Sequence, residues 1–243
     1  QRPYMPTDTS GITYWLKPET LPNQPTGFQL DTWINALGTN HAYQGLGTYT
    51  PTLVNNAVNS YPAVRFNGSY LETPSPVFPA STAKTLFVVA QRQSSANGVL
   101  LGQETNPADT WGGQGFMLQI NSGTNFRYYW SRDGGSWEAN ATLPTYSGSE
   151  PFRIYSVVHS TAGVSTFLDR VPFGFNATNA FSSTARLLRV GNGRDYEYFN
   201  GNIAEVITYN RALNTEERQA VEAYLYAKYT APAQYQLDVA TDG

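Results

Sequence analysis

Between Ala63 and Asn210 the chain repeats one pattern: a short run of β-prone residues, then a break built from Gly, Pro, Asn, Ser or Thr. The runs are AVRF (63–66), TLFVVAQR (85–92), GFMLQI (115–120) and FRYYW (126–130). FRIYSVVHS (152–160), VSTFLDR (164–170), RLLRVG (186–191) and GNIAEVITYN (201–210) follow. Many strands with turn signals between them, and no helical pattern intervening, predict an all-β sandwich or barrel with antiparallel pairing. SVVHSTAGVSTFLDR reads as a hairpin whose turn is Thr161, Ala162 and Gly163, with Gly163 able to take a positive φ. Pro74, Pro76 and Pro79 break the chain just before the 85–92 run, as a loop entering a core strand does.

One helix interrupts this pattern near the end. Asn214 is a good N-cap, and Glu217 at the third helical position completes a capping box. Glu216 and Glu217 also suit the positive end of the helix dipole. Ala220, Val221, Tyr224, Leu225 and Tyr229 follow the i, i+3, i+4 pattern. The prediction is a short amphipathic helix lying on the sandwich.

Composition limits the partners. The 243 residues are 40% hydrophobic and 14% aromatic, enough for a sizeable core, and only 14% charged. A net charge of -3 leaves no basic footprint for nucleic acid. With no cysteine there is no disulfide, thiolate zinc site or thiol nucleophile. No apolar run approaches the ~18 residues of a membrane span. No signal-peptide pattern opens the chain, and Gln1 is expected to follow a cleavage point. Sequons stand at Asn67, Asn140 and Asn176, as expected by chance in a chain so rich in Asn, Ser and Thr. The expected organisation is an extension over 1–10, one domain over 11–229, and a linker or the start of a next module over 230–243.

GNIAEVITYNRALNTEERQAVEAYLYAKY (201–229) resembles the C-terminal signature of the concanavalin A-like, laminin-G-type jelly-roll domains of bacterial surface and secreted proteins. YWLKPETL (14–21) resembles that family's opening strand, and DTWINALGTNHAYQ (31–44) its tryptophan-led loop. PTLVNNAVNSYPAVRFNGSYLE (51–72) resembles the strand and loop that follow. Asn35 departs from the family, which often has aspartate there, so any role of that carboxylate is in doubt. The resemblance implies a two-sheet antiparallel jelly-roll sandwich, one sheet concave, with a short C-terminal amphipathic helix. It leaves function open, because lectins, glycanases, lyases and adhesion modules share the fold.

Catalytic motifs are not matched. Hydrolases of this fold place carboxylates as Glu-x-Asp-x-x-Glu along one strand, and the nearest run, Asp195-Tyr196-Glu197, lacks the third acid. A polysaccharide lyase needs a Tyr/His pair with Arg and Gln. Tyr155, His159, Arg127 and Gln119 supply the types, but LQIN (118–121) has Asn where the lyase strand needs histidine. His159 reads as a strand-end residue beside a turn, and His41 as a loop residue.

Sugar recognition uses aromatic faces with Asn, Asp, Gln and Arg on the hydroxyls. The richest segment is 111–140. In FRYYW, alternation sends Phe126, Tyr128 and Trp130 to one face and Arg127 and Tyr129 to the other. The all-aromatic set is the natural core, so Arg127 and Tyr129 are expected outward. Trp111, Arg127, Tyr129, Arg132 and Trp137 are the candidate carbohydrate contacts. Calcium, a common companion of the fold, would find oxygens on Asp133, Asn192, Asp195, Glu197 and Asn200, whose other role is turn formation.

Three functions follow as alternatives. One is a non-catalytic carbohydrate-binding or adhesive module of a larger secreted or cell-surface bacterial protein, with a glycan or polysaccharide, or other surface proteins, as partner. Another is a structural spacer or protein-interaction domain without a sugar site. The third is a lyase or hydrolase on the same fold.

Overall fold

The computed structural model describes residues 2–44, 50–80, 82–103, 115–121, 124–132, 135–148, 150–177, 181, 185–193 and 197–230. The first half of the chain forms β1 (Ile12–Leu16), β2 (Thr32–Trp33), β3 (Ala42–Gln44), β4 (Thr52–Val58), β5 (Tyr61–Phe66) and β6 (Leu71–Glu72). Then come β7 (Lys84–Arg92), β8 (Gly98–Gln103), β9 (Gly115–Asn121), β10 (Asn125–Arg132) and β11 (Gly135–Thr142). The rest is β12 (Arg153–Ser160), β13 (Gly163–Leu168), β14 (Val171–Asn176), β15 (Leu188–Val190), β16 (Gly201–Tyr209) and α1 (Thr215–Tyr229).

These strands make the two antiparallel sheets of a jelly-roll sandwich. The first runs β14-β13-β12-β7-β16-β5-β4, and the second β11-β10-β9-β8-β15-β6-β3-β2. One edge of β16 is shared: β5 pairs with it at Gly201–Ile203, and β1 at Val206–Tyr209. The expected hairpin is there, with β12 paired to β13 and Gly163 at φ +128. Residues whose side chains face between the sheets, among them Leu86, Val88, Leu118, Phe126, Tyr128 and Trp130, form the main core.

The middle of the first sheet, β7 and β16, is buried on both faces, which explains why these two strands read as continuous apolar runs instead of alternating ones. Its outer face carries a second core, where Phe87, Val89, Ile207 and Ala63 meet Val221, Leu225 and Tyr229 of α1. The capping box forms as expected: Asn214 Oδ1 accepts from Glu217 N at 2.9 Å, and Glu217 Oε2 accepts from Asn214 N at 3.0 Å. Arg211 clamps the same carboxylate at 2.6 and 2.7 Å. Residues near the start of the chain join this face. Tyr4 and Met5 pack against the second core, and the Tyr209 hydroxyl donates to the Pro6 carbonyl at 2.8 Å.

Under α1 lies a polar knot that its apolar pattern does not announce. Glu205 on β16 is fully buried. It accepts from Trp15 Nε1 (2.7 Å), the Tyr224 hydroxyl (3.1 Å), Lys228 Nζ (2.9 Å) and the Tyr229 hydroxyl. Lys228 also reaches Glu19. Arg218 pairs with Glu222 one turn on, and its guanidinium lies 3.8 Å over the Phe167 ring. Among the described residues no helix is long and apolar enough to cross a membrane.

Asn35 finds a structural role where the resemblance left doubt. Its Oδ1 accepts from the backbone N–H of Trp15 and Leu37, while its Nδ2 donates to the Thr39 carbonyl at 2.7 Å. An aspartate could not make that last bond.

At one end of the main core, Lys84 is buried with Nζ donating to the Thr82 carbonyl at 2.7 Å and lying near the Phe78, Phe116 and Phe181 rings. Burial pushes its pKa down from 10.5 to about 8. Below pH 8 the ammonium is charged in both folded and unfolded chains, so the burial cost is fully present. As pH rises from 8 to 10.5 the folded state sheds the proton first, and that cost is relieved. Wild type is therefore expected to gain roughly 2 to 3 kcal/mol on Lys84→Met between pH 7.5 and 10.5. Urea unfolding of both proteins at the two pH values checks this.

Candidate functional site

With α1 on the first sheet, the outer side of the second carries no helix among the described residues. The register fixes which residues occupy it. Leu71, Val190, Leu101, Leu118, Tyr128 and Ala139 are successive cross-strand partners, and all lie in the main core. The next row therefore points the other way. It reads Tyr43, Glu72, Arg189, Gly102, Met117, Tyr129 and, at the register position beyond, Glu138. From Tyr43 to Tyr129 it crosses five strand spacings, roughly 24 Å. A parallel row holds Val99, Gln119 and Arg127, with Asn140 opposite in register.

The two ends of the row are polar and aromatic, while Gly102 and Met117 between them are buried. Tyr43 is 44% exposed. Glu72 accepts from Arg189 Nε at 2.5 Å, and the Arg189 guanidinium lies 4.8 Å over the Tyr70 ring. Tyr70 stands 6.4 Å from Tyr198, which bridges to Val99. The loop after β15 presses directly on this face. A Cβ on Gly102 would meet Gly193 Cα at 2.6 Å, and one on Gly193 would meet Val99 Cγ1 at 2.8 Å, so glycine at both positions permits the contact.

The predicted site residues fall unequally. Phe126, Tyr128 and Trp130 are buried in the core, while Arg127 and Tyr129 are half-buried on the outer face, as alternation required. Arg132 pairs with Gly135, and Trp137 takes the register position opposite the inward Trp130. Trp111, Asp133 and Asp195 lie outside the described residues.

Of the proposed calcium ligands, Asn192 is buried, and Glu197 and Asn200 are half-buried. Asn200 Nδ2 donates to Asn67 Oδ1 at 3.3 Å. Among the described residues Glu197 Oε2 and Asn200 Oδ1 are buried without a hydrogen-bond partner, and no group of three or more His, Asp or Glu could hold a metal ion.

The residues considered for lyase chemistry are split between two environments. Gln119 and Arg127 are partners on the outer face of the second sheet. Tyr155 and His159 sit on the inner side of the first, with His159 Nδ1 3.2 Å from the Tyr128 hydroxyl and the ring stacked on Phe181 at 4.5 Å. His159 stands at the end of β12 beside the turn, as expected, and its alternation with Tyr155 and Val157 carries it into the interior. Tyr43, Tyr70, Glu72, Arg189 and Tyr198 are missing from the sequence-based candidates. A signal did exist, since Glu72 follows the apolar Leu71, and Arg189 stands between Leu188 and Val190.

A family model described as the concanavalin A-like lectin/glucanases superfamily, of laminin-G type, matches residues 66–217. No curated protein matches the chain in sequence. Among solved structures, Trypanosoma rangeli sialidase in complex with sialic acid superposes with a TM-score of 0.58 at 12% identity, over 92% of this chain and 34% of that one. The botulinum neurotoxin serotype D binding domain gives 0.61 at 8% identity, over 88% and 51%. The CBM40 of Ruminococcus gnavus IT-sialidase, bound to α2,6-sialyllactose, gives 0.50 at 17% identity, over 59% and 84%. The chain spans only 26% to 34% of the length of the first sialidases it matches. At these identities the likeness is one of fold.

Proposed function

Because this chain belongs to the laminin-G-type family of the concanavalin A-like lectin/glucanase superfamily, we propose that it is a non-catalytic carbohydrate-binding module whose ligand lies across the outer face of the second sheet. The observation that carries this reading is the transverse row from Tyr43 through Glu72 and Arg189 to Tyr129. Tyrosine rings offer flat faces to the C–H surface of a pyranose, while Arg127 and the Arg189–Glu72 pair offer donors and acceptors to its hydroxyls. The CBM40 bound to sialyllactose shares the fold and so adds support.

The spacing of the acid positions on this row supports binding without cleavage. Glu72 and Glu138, the carboxylate positions on this row, are five strand spacings apart, roughly 24 Å. Glycoside hydrolysis needs about 5 to 9.5 Å. Calcium enters this reading at Glu197 Oε2 and Asn200 Oδ1, hard oxygens with no hydrogen-bond partner among the described residues. In this reading the module works outside the cell or on its surface.

Tyr129→Ala is expected to weaken glycan binding about tenfold while leaving the melting temperature within about 2 °C, since it removes an aromatic face that is not core. A glycan array, followed by calorimetry on the best hit with and without chelator, measures this. Silence on every glycan would favour a spacer. New reducing ends or unsaturated products from the purified chain would overturn the non-catalytic reading.

A further inference from the structure

The outer face of the first sheet carries a second, polar strip beside the one under α1. Thr52, Arg65, Asn202 and Gln91 are successive cross-strand partners on β4, β5, β16 and β7. Their neighbours Val64, Ile203 and Ala90 belong to the main core, so this row faces outward, in line with Ala63 and Val89 under the helix.

Most of the strip is firmly ordered. Gln91 Oε1 accepts from Asn202 Nδ2 at 2.8 Å and from Gln93 Nε2 at 3.3 Å, while its Nε2 donates to the Glu150 carbonyl at 2.7 Å. Nearby, Arg92 is paired with Glu150 and lies 5.5 Å from the Tyr146 ring centre. Two groups are left over. Asn202 is 96% buried, yet its Oδ1 has no partner among the described residues. Its Nδ2 donates to Gln91 on one side of the row, and Arg65 is its cross-strand partner on the other. Arg65 makes no ion pair or hydrogen bond among the described residues; burial draws its pKa down, and Tyr146 is close enough to act on it electrostatically.

A buried acceptor without a donor and a guanidinium without an anion, side by side, cost free energy unless something fills both. We propose that Arg65, Asn202 and Tyr146 form a second binding site, specific for an acidic saccharide. The sugar carboxylate pairs with the Arg65 guanidinium, an adjacent hydroxyl donates to Asn202 Oδ1, and the ring lies against Tyr146. The fork of arginine suits a carboxylate, and the carboxamide oxygen selects a hydroxyl beside it. This site faces away from the row on the second sheet, so the two can be filled independently.

The test uses a galacturonate trisaccharide and its uncharged galactose counterpart, titrated calorimetrically against the full chain, Arg65→Gln, Arg65→Lys and Tyr129→Ala. The expected result is that Arg65→Gln weakens the acidic sugar at least tenfold and leaves the Tyr129-dependent glycan untouched. Arg65→Lys should retain part of the affinity, and Tyr129→Ala should not alter acidic-sugar binding. Failure of the chain to bind galacturonate, equal binding of the uncharged sugar, or indifference to Arg65→Gln would each overturn the proposal. Loss of acidic-sugar binding in Tyr129→Ala would also overturn it, by moving that binding to the second sheet.

Discussion

Replacing Glu205 by alanine is expected to destabilise the fold by about 3 to 5 kcal/mol, because it removes the acceptor of a buried charged network. Trp15 Nε1, two tyrosine hydroxyls and Lys228 Nζ all converge on this carboxylate. Lys228 retains Glu19, but Trp15 and the tyrosines are left as buried donors, each costing about 1 to 3 kcal/mol when unmet. Burial and the nearby carboxylate push the Tyr224 and Tyr229 pKa values upward, so both remain donors well into alkaline pH. Lys228→Met is expected to cost less, because Glu205 keeps its three neutral donors. Thermal melts order the variants: Glu205→Ala should fall by roughly 10 °C, and by more than Lys228→Met. An unchanged melt for Glu205→Ala would mean that α1 is not seated on this residue.

Trp130→Ala is expected to cost about 3 to 5 kcal/mol as a truncation in a packed interior. The ring is 1% exposed and stands 5.4 Å from Tyr128 and 5.1 Å from His159. Its indole N–H has no hydrogen-bond partner among the described residues, so Trp130→Phe forfeits volume and none of the described bonds, and should cost under about 1.5 kcal/mol. Chemical denaturation of the pair, beside Tyr129→Ala, checks the facing of β10 directly. If Tyr129→Ala proved the more damaging, the strand would be turned over and Tyr129 would leave the ligand row.

What the sequence reveals here depends on the range of the interaction. The capping box of α1 is legible because Asn214 and Glu217 are three residues apart, and the facing of Phe126 to Trp130 because alternation is local. The knot at Glu205 is not legible: Trp15 is 190 residues away, and an acid inside an apolar run gives no hint of its donors. β8, β11 and β14 were not anticipated. GVLLGQ is short and bracketed by glycines, GSWEANAT is polar, and VPFGFN carries a proline that the edge of a sheet tolerates. The ligand row suffers most. It joins β3, β6 and β15, strands of two or three residues each, and their neighbours are set by register between segments remote in sequence. Arg127 and Tyr129 were found from their own strand; Tyr43, Glu72 and Arg189 needed the sheet.

The middle of the first sheet is occupied by the last of the described strands to be synthesised. β16 separates β7 from β5 and β1, and the Thr13 and Thr208 hydroxyls meet at 2.9 Å across 195 residues. During translation, β1, β5 and β7 emerge with open edges and must wait for Tyr209 before the sheet can close. Such distant pairing makes for slow folding and a long exposure to aggregation, which in a cell falls to chaperones.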